Sequence, residues 1–484
     1  MAKYYHIITF GCQMNKNDSE RAGALLASLG MKETPVLEKA DVVLVNTCSV
    51  RQMAEDRTSG INRKILKLKK QKPSLIFAVT GCMPGRDTDG RLRKKIPSAD
   101  LFFPIIDLPK LPVWLRELQP DWFKLKFEDV GQYWNIDPKR EFDYKAFITI
   151  QIGCNNFCSY CVVPYARGRE KNRPVKDILQ EIKKAVKKGA KEITLLGQVV
   201  NNYRAPDPEN YNKKNLFYPS LQTPPPLRGT SPSQGEDSPS LLRRGRGRSY
   251  SDFAALLWEI NNIPGDFRIF YTAPDPQHFD DYQVKALSLP KMVNYIHLPV
   301  QAGDNEILKK MNRKYTREQF IKLIKKIRAQ KPEIAIGTDI IVGFCSETKK
   351  QFEQTVDLYK QCDFDIAYLA MYSQRSGTVA AKIYKDDVEI AEKKRRWRVL
   401  QDLMEEIVLR KNQKYLGQVV EVLVDDCQSP SSAREEGGVE REICTGNSSE
   451  MKMVQFLGNK KMIGKLIKVK INFAEKWILN GEAC

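Results

Sequence analysis

The chain reads as an α/β protein in three units: an N-terminal βαβ unit, a central partial (β/α) barrel and a small C-terminal β-barrel. Three observations predict this. Short apolar runs alternate with helical periods through the first hundred residues, six further strand–helix repeats follow, and from Gly417 the pattern turns to strands alone.

In the first unit, YYHIITF (4–10), DVVLVN (41–46) and LIFAVT (75–80) are the strand candidates, with SERAGALLASLG and RQMAEDRTSGINRKILKLKK as the helices between them. Unbroken apolar strands joined by helices imply a parallel, Rossmann-like sheet covered on both faces, here bounded as residues 1–120. The second unit, 140–390, offers KAFITIQIG (145–153), KEITLLGQ (191–198), FRIFYTA (267–273), YIHLPVQ (295–301), IAIGTDIIVGF (334–344) and DIAYLAMY (365–372). PVKDILQEIKKAVKKG and TREQFIKLIKKIRAQ are two of the helices between them. An active site is expected at the carboxyl ends of such strands. Residues 204–248 interrupt the rhythm with TPPPLRGTSPSQGEDSPSLLRRGRGR, a composition expected to form a disordered, passive surface insertion. The third unit, 412–484, contains GQVVEVLV, KMVQFLG and KLIKVKINFA, with a polar segment at 426–448 read as a second insertion.

The 484 residues carry 79 Lys and Arg against 59 Asp and Glu, a formal charge of +20 that points first to nucleic acid as the partner. No apolar run approaches the roughly 18 residues of a membrane span, so no membrane partner is expected. MAKYYHIITFGC lacks the zones of a secretory signal, and a cytoplasmic location is the expectation. In that compartment most of the 11 cysteines stay reduced, structural disulfides are not expected, and systematically placed thiols call for metal ligation or catalysis.

Two cysteine sets are systematically placed. Cys154, Cys158 and Cys161 form a CxxxCxxC run directly after a strand. A closed zinc site wants four ligands, and no fourth Cys or His lies nearby. Three thiolates suit a 4Fe–4S cluster with one open iron, which S-adenosylmethionine (SAM) chelates through its amino and carboxylate groups. Reductive cleavage of its sulfonium then yields a 5′-deoxyadenosyl radical. Cys12, Cys48 and Cys82 are far apart in sequence, yet each ends an apolar strand, in HIITFGC, VLVNTC and FAVTGC. A parallel sheet gathers such strand ends on one edge, so these three are expected to hold a second, auxiliary 4Fe–4S cluster rather than to be unrelated core thiols. Cys345, Cys362, Cys427, Cys444 and Cys484 show no ligand spacing and are read as non-functional.

In these motifs the chain resembles the MiaB-type methylthiotransferases of the radical SAM superfamily. The phrases that carry the resemblance are TFGCQMNKNDSE, NTCSVRQMAEDR, GCNNFCSYCVVPYARGRE, EITLLGQVVNNY, HLPVQAGDNEILKKMNRKYT, TDIIVGF and YSQRSGTVAA. The resemblance implies a methylthiotransferase N-terminal domain, a radical SAM barrel and a C-terminal TRAM barrel that grips RNA. It assigns Cys154, Cys158 and Cys161 to the SAM-cleaving cluster and Cys12, Cys48 and Cys82 to the auxiliary one. The implied reaction adds a methylthio group at C2 of N6-isopentenyladenosine beside the anticodon of tRNA. It uses two SAM molecules, an electron donor such as flavodoxin or ferredoxin, and a sulfur donor. The aromatic C2–H bond offers no acidic proton, so no paired-carboxylate site is expected.

Lesser candidates surround this core. Tyr160, Gly197, Gln198 and Gln301 stand in the cluster loop or at strand ends, where SAM contacts are expected. Arg167 and Arg169 follow the cluster loop as candidates for phosphate or the SAM carboxylate. Lys465, Lys468 and Lys470 alternate with apolar residues and would build a basic barrel face toward RNA. Val199, Ala302, Asp275 (within APDPQHF, which replaces a Ser-His-Pro segment) and Cys345 depart from the family's usual wording around the barrel mouth. Two other readings stay open: a sister methylthiotransferase acting on threonylcarbamoyladenosine or a ribosomal protein, and a non-catalytic iron–sulfur RNA-binding protein.

Overall fold

A computed structural model describes residues 2–50, 52–122, 131–218, 250–429 and 442–484. In the N-terminal unit β1 (Tyr4–Phe10), α1 (Gln13–Ser28), β2 (Lys32–Glu33), β3 (Val42–Thr47), α2 (Gln52–Gln71), β4 (Ile76–Gly81), α3 (Cys82–Gly85), α4 (Arg91–Lys94), β5 (Leu101–Phe102) and α5 (Leu111–Leu118) follow one another. The five strands form one parallel sheet in the order β2-β1-β3-β4-β5. Every residue of β3 and β4 is buried, which is why both read as unbroken apolar runs rather than alternating ones. Tyr133 and Ile136 pack into the same core, together with Ile152.

The central unit runs β6 (Lys145–Thr149), β7 (Gln151–Ile152), α6 (Val163–Arg167), β8 (Lys171–Asn172), α7 (Val175–Lys187), β9 (Glu192–Leu196), α8 (Asp252–Asn261), β10 (Arg268–Tyr271), α9 (Asp281–Ala286), β11 (Tyr295–His297), α10 (Asn305–Lys310), α11 (Arg317–Gln330), β12 (Ala335–Val342), α12 (Lys349–Cys362), β13 (Ile366–Met371), α13 (Val379–Ile383) and α14 (Ile390–Gln413). Six parallel strands build its wall in two halves, β6-β9-β10 and β11-β12-β13. A bridge from Ile269 to Met292 and the shared cluster of Phe270, Val293, Tyr295 and Ala335 join them. Each predicted barrel strand is present, one to four residues shorter at its ends. The expected insertion at 204–248 begins later than its composition suggested: Tyr211 and Phe217 are buried in the barrel core, and the Tyr218 and Tyr250 rings meet at 4.7 Å. Its middle, 219–249, lies outside the described residues.

The C-terminal unit is a closed barrel, β14 (Val419–Gln428), β15 (Glu442–Ser448), β16 (Met453–Gly458), β17 (Leu466–Ala474) and β18 (Leu479–Ala483), ordered β14-β15-β16-β18-β17. The segment read as an insertion at 426–448 is smaller than expected, because both strands extend into it; residues 430–441 lie outside the described ones. The expectation that no structural disulfide forms is corrected here. Cys427 and Cys444 are direct register partners on β14 and β15, and a disulfide joins them. Opposed positions on neighbouring strands place both side chains on one face, a relation the intervening polar segment hides in the sequence.

Among the described residues, no helix is long and apolar enough to cross a membrane. The small barrel sits at the amino ends of the central strands. Lys145 pairs with Asp425 at 2.5 Å, Arg268 donates to the Asn447 carbonyl, the Asn294 amide donates to Ser449, and Lys452 pairs with Asp365. The N-terminal unit lies against the opposite end and along β6, where Asn17 exchanges hydrogen bonds with Thr149 and the Phe147 carbonyl.

Candidate functional site

The auxiliary cysteines follow from sheet register. Phe10, Thr47 and Gly81 are aligned across β1, β3 and β4. Cys12, Cys48 and Cys82 come two, one and one residues later, so all three emerge on the same carboxyl edge. The Cys48 amide donates to the Phe10 carbonyl at 2.7 Å, closing the row. The Cys48 thiol hydrogen-bonds to Cys82, and Cys12 lies within electrostatic reach of both Cys48 and Arg167. Beneath Cys12, Asn15 accepts from its thiol and donates to the buried Asn46 side chain, which fixes the α1 start against β3.

The second trio sits in the loop after β7. Gly153, with φ +76°, turns the chain so that the Cys154 amide reaches the Gly168 carbonyl; an added Cβ there would strike the Gly168–Arg169 backbone. Amides at Asn156 and Val163 donate to the sulfurs of Cys154 and Cys161 at 3.4 and 3.5 Å. Arg313 donates to Cys158 Sγ at 3.2 Å and pairs with Asp275 at 3.1 Å; Asp275 also accepts from the Asn156 side chain at 2.9 Å. One buried carboxylate thus holds both groups that point at the Cys154 and Cys158 sulfurs. Neither Arg313 nor Asn156 was singled out from sequence, since nothing in MNRKYT or GCNNFC marks them as turned inward.

The two trios are linked through the helices that adjoin them. α3, which opens at Cys82, packs on α6, which follows Cys161, and Gly85 lies so close to the Ala166 carbonyl that a side chain has no room. Arg167 closes the seam, donating from Nε to Cys82 Sγ at 3.4 Å and from Nη2 to Asp18 at 2.5 Å. This corrects its reading as a surface arginine available to RNA: it is buried between the units. Arg169 is exposed, over the Phe157 ring. Arg86, on the other flank, pairs with Glu55 at 2.6 Å and reaches the Ser376 carbonyl, while Arg375 donates to the Val50 carbonyl.

These residues fit two iron–sulfur clusters. Burial pushes the Cys154 and Cys161 thiols up to about 12, so their thiolates form when a metal supplies positive charge. The hydrogen bond from Cys48, together with Arg167, holds Cys82 down at about 6. Among the described residues no three His, Cys, Asp or Glu side chains close on a single ion, whereas a cubane spreads its thiolates over separate irons. Arg167 Nη1 and Gln198 Oε1 are buried and have no hydrogen-bond partner among the described residues. Gly197 and Gln198 follow β9 directly, and Gln301, at φ +71°, is clamped by backbone bonds to Asp339 and Ile341 at the carboxyl end of the wall. Tyr160 packs against the barrel core between the cysteines, and Val199, Ala302 and Cys345 are buried.

On the small barrel, Lys465, Lys468 and Lys470 are exposed, alternating with buried Val469 and Ile471. Their face is not uniformly basic: Glu421 and Glu482 stand directly opposite Lys468 and Lys470 in register.

Comparison with known proteins adds the lineage. Residues 148–359 match the radical SAM superfamily, and residues 4–104 match the uncharacterized protein family UPF0004. The chain is 38% identical over 490 residues to the tRNA-2-methylthio-N(6)-dimethylallyladenosine synthase of Thermoanaerobacter sp. (strain X514), covering 99% of this chain and 92% of that one. The synthase of the same name from Carboxydothermus hydrogenoformans is 37% identical, with 99% of each chain covered. Among solved structures, the radical SAM methyltransferase TsrM from Kitasatospora setae, with cobalamin and a [4Fe–4S] cluster bound, superposes with a TM-score of 0.50 at 13% identity. The match covers 77% of this chain and 75% of that one, a likeness of fold alone.

Proposed function

We propose a division of labour among this chain's residues from one premise: the chain belongs to the tRNA-2-methylthio-N(6)-dimethylallyladenosine synthases, SAM-dependent tRNA methylthiotransferases built on a radical SAM domain. The substrate is tRNA, and the product carries a methylthio group at C2 of an N6-dimethylallyladenosine. The observation that carries the scheme is the α3–α6 contact, with Arg167, that joins the helix opening at Cys82 to the helix following Cys161.

Cys154, Cys158 and Cys161 hold the cluster that binds SAM; Cys12, Cys48 and Cys82 hold the auxiliary one. When bound, the clusters and SAM supply electron transfer, removal of the C2 hydrogen, and the sulfur and methyl groups. The protein's part is positioning. Arg313 donates to Cys158, and the Asn156 and Val163 amides donate to Cys154 and Cys161, where they favour the thiolate against burial. Gly197, Gln198 and Gln301 frame the strand ends where SAM sits, with the Gln198 oxygen free to accept. Arg167 presents its unpartnered Nη1 on the auxiliary side, suited to an anionic sulfur ligand. The target base leaves its stack to enter the seam. A low-potential electron donor of the flavodoxin or ferredoxin class and a separate sulfur donor complete the cycle, in the cytoplasm. The domain limits proposed are 1–120, extended to the packed residues near 136, then 140–390 and 412–484.

Replacing Cys154, Cys158 and Cys161 with alanine is expected to leave about half the iron and abolish 5′-deoxyadenosine formation. Replacing Cys12, Cys48 and Cys82 is expected to spare SAM cleavage while ending methylthio transfer. Full iron content in the second variant would overturn the scheme.

A further inference from the structure

We propose that the outer face of α2 is an RNA-docking surface, which seats the backbone of the helical stem whose loop enters the seam between the cysteine trios. This rests on the tRNA reading above and adds to it the place where the stem is held.

An open groove of about 750 Å³ lies along this helix, lined by Phe10, Arg57, Gly60, Ile61, Arg63, Lys64 and Lys67. Its four cations are exposed, and none pairs with a carboxylate among the described residues. The acids of α2 lie in its first two turns and are engaged: Glu55 pairs with Arg86, and Asp56 accepts from Gln52. Elsewhere most buried or half-buried cations are matched, as Arg21 with Glu181, Arg268 with Glu192, and Arg396 with Glu347. The α2 stripe is therefore a field of unneutralised charge.

Its placement points to RNA. Phe10, on the groove floor, is two residues before Cys12, and the start of α2 is bound to the central unit through Arg375, which donates to the Val50 carbonyl and contacts Gln52. From that end the stripe leads away from the site. Arg57 to Lys67 spans about 15 Å of helix axis. A B-form strand carries one phosphate per ~3.4 Å of axis and an A-form RNA strand packs them more closely, so the stripe faces at least about four phosphates with four cations. The small barrel does not serve this place: it sits at the amino ends of the central strands, roughly 20 Å from the cysteines by strand length. Glu421 and Glu482 also stand beside its lysines. A stem gripped only there would leave its loop unsteered at the seam.

The test uses the full chain, anaerobically reconstituted, and an anticodon stem-loop RNA bearing N6-isopentenyladenosine. The variant R57Q/R63Q/K64Q/K67Q is compared with K176Q/K183Q/K187Q/K188Q, which removes as many exposed charges from the α7 region; iron content and thermal melting confirm that both are folded. The groove variant is expected to weaken binding and to flatten the slope of log Kd against log salt by about 3, so that its deficit shrinks roughly 60-fold between 50 and 200 mM salt. The α7 variant is expected to change the slope by less than about 1. Equal losses in the two variants would overturn the proposal. So would wild-type RNA affinity in the groove variant together with slower cluster reduction by flavodoxin, which would assign the groove to an acidic redox protein. Wild-type chain that binds this RNA through the groove yet transfers no methylthio group to it would sink the proposed function and leave the docking surface standing.

Discussion

Gly85→Ala tests whether the two cysteine sets must be held as the α3–α6 contact holds them. The added Cβ would stand 2.9 Å from the Ala166 carbonyl carbon and 3.2 Å from its Cα, and closer still to the oxygen, where ordinary contact begins at 3.4 Å. Both partners are backbone, so no side chain can swing aside. α3 and α6 must part, by on the order of 1 Å, a displacement that costs about 100-fold in rate when it separates reacting groups. Overpacking of this kind costs about 1–3 kcal/mol in stability, which a chain of this size absorbs. The SAM-side trio lies within one loop and the auxiliary trio on one sheet edge, so iron content is expected to hold and SAM cleavage to continue. Methylthio product is expected to fall by about two orders of magnitude, with 5′-deoxyadenosine formed uncoupled from it. The assay is the ratio of the two products by mass spectrometry in single-turnover reactions. A ratio equal to that of the unsubstituted chain would refute the claim that the α3–α6 contact sets the reaction distance.

Arg167→Met removes one member of a buried ion pair and leaves Asp18 charged and unmatched, a cost of about 3–5 kcal/mol. It is expected to lower the denaturant midpoint and to release auxiliary iron first; an unchanged midpoint would show that the seam does not depend on this pair. Asp275→Asn deletes a negative charge that faces Arg313 and Asn156. The midpoint potential of the SAM-side cluster, followed by electron paramagnetic resonance in a redox titration, is expected to rise because the reduced cluster loses a like-charged neighbour. An unmoved potential would exclude Asp275 as a positioning residue.

What the sequence reveals and what it hides have a common physical cause. Cys12, Cys48 and Cys82 were legible because a parallel sheet buries both faces of its strands, making each a continuous apolar run, and aligned runs end on one edge. Asp18 and Arg167 were not, because their burial is decided by a partner 149 positions away; in isolation each looks like a solvated charge. Composition likewise placed the disulfide cysteines in a polar insertion, where only the β14–β15 register brings them together. Tyr211 and Phe217 border a low-complexity tract yet fill the barrel core, since apolar side chains anchor the ends of a segment whatever its middle contains. Net charge behaves the same way. A total of +20 says that an acidic partner is favoured, but not where it binds. Pairing sorts that total: Arg167 is spent inside the seam, Lys468 and Lys470 face glutamates across the ladder, and the cations of α2 remain unopposed. Function is carried by the charges that folding leaves unmatched, and those become visible when the partners of all the others are known.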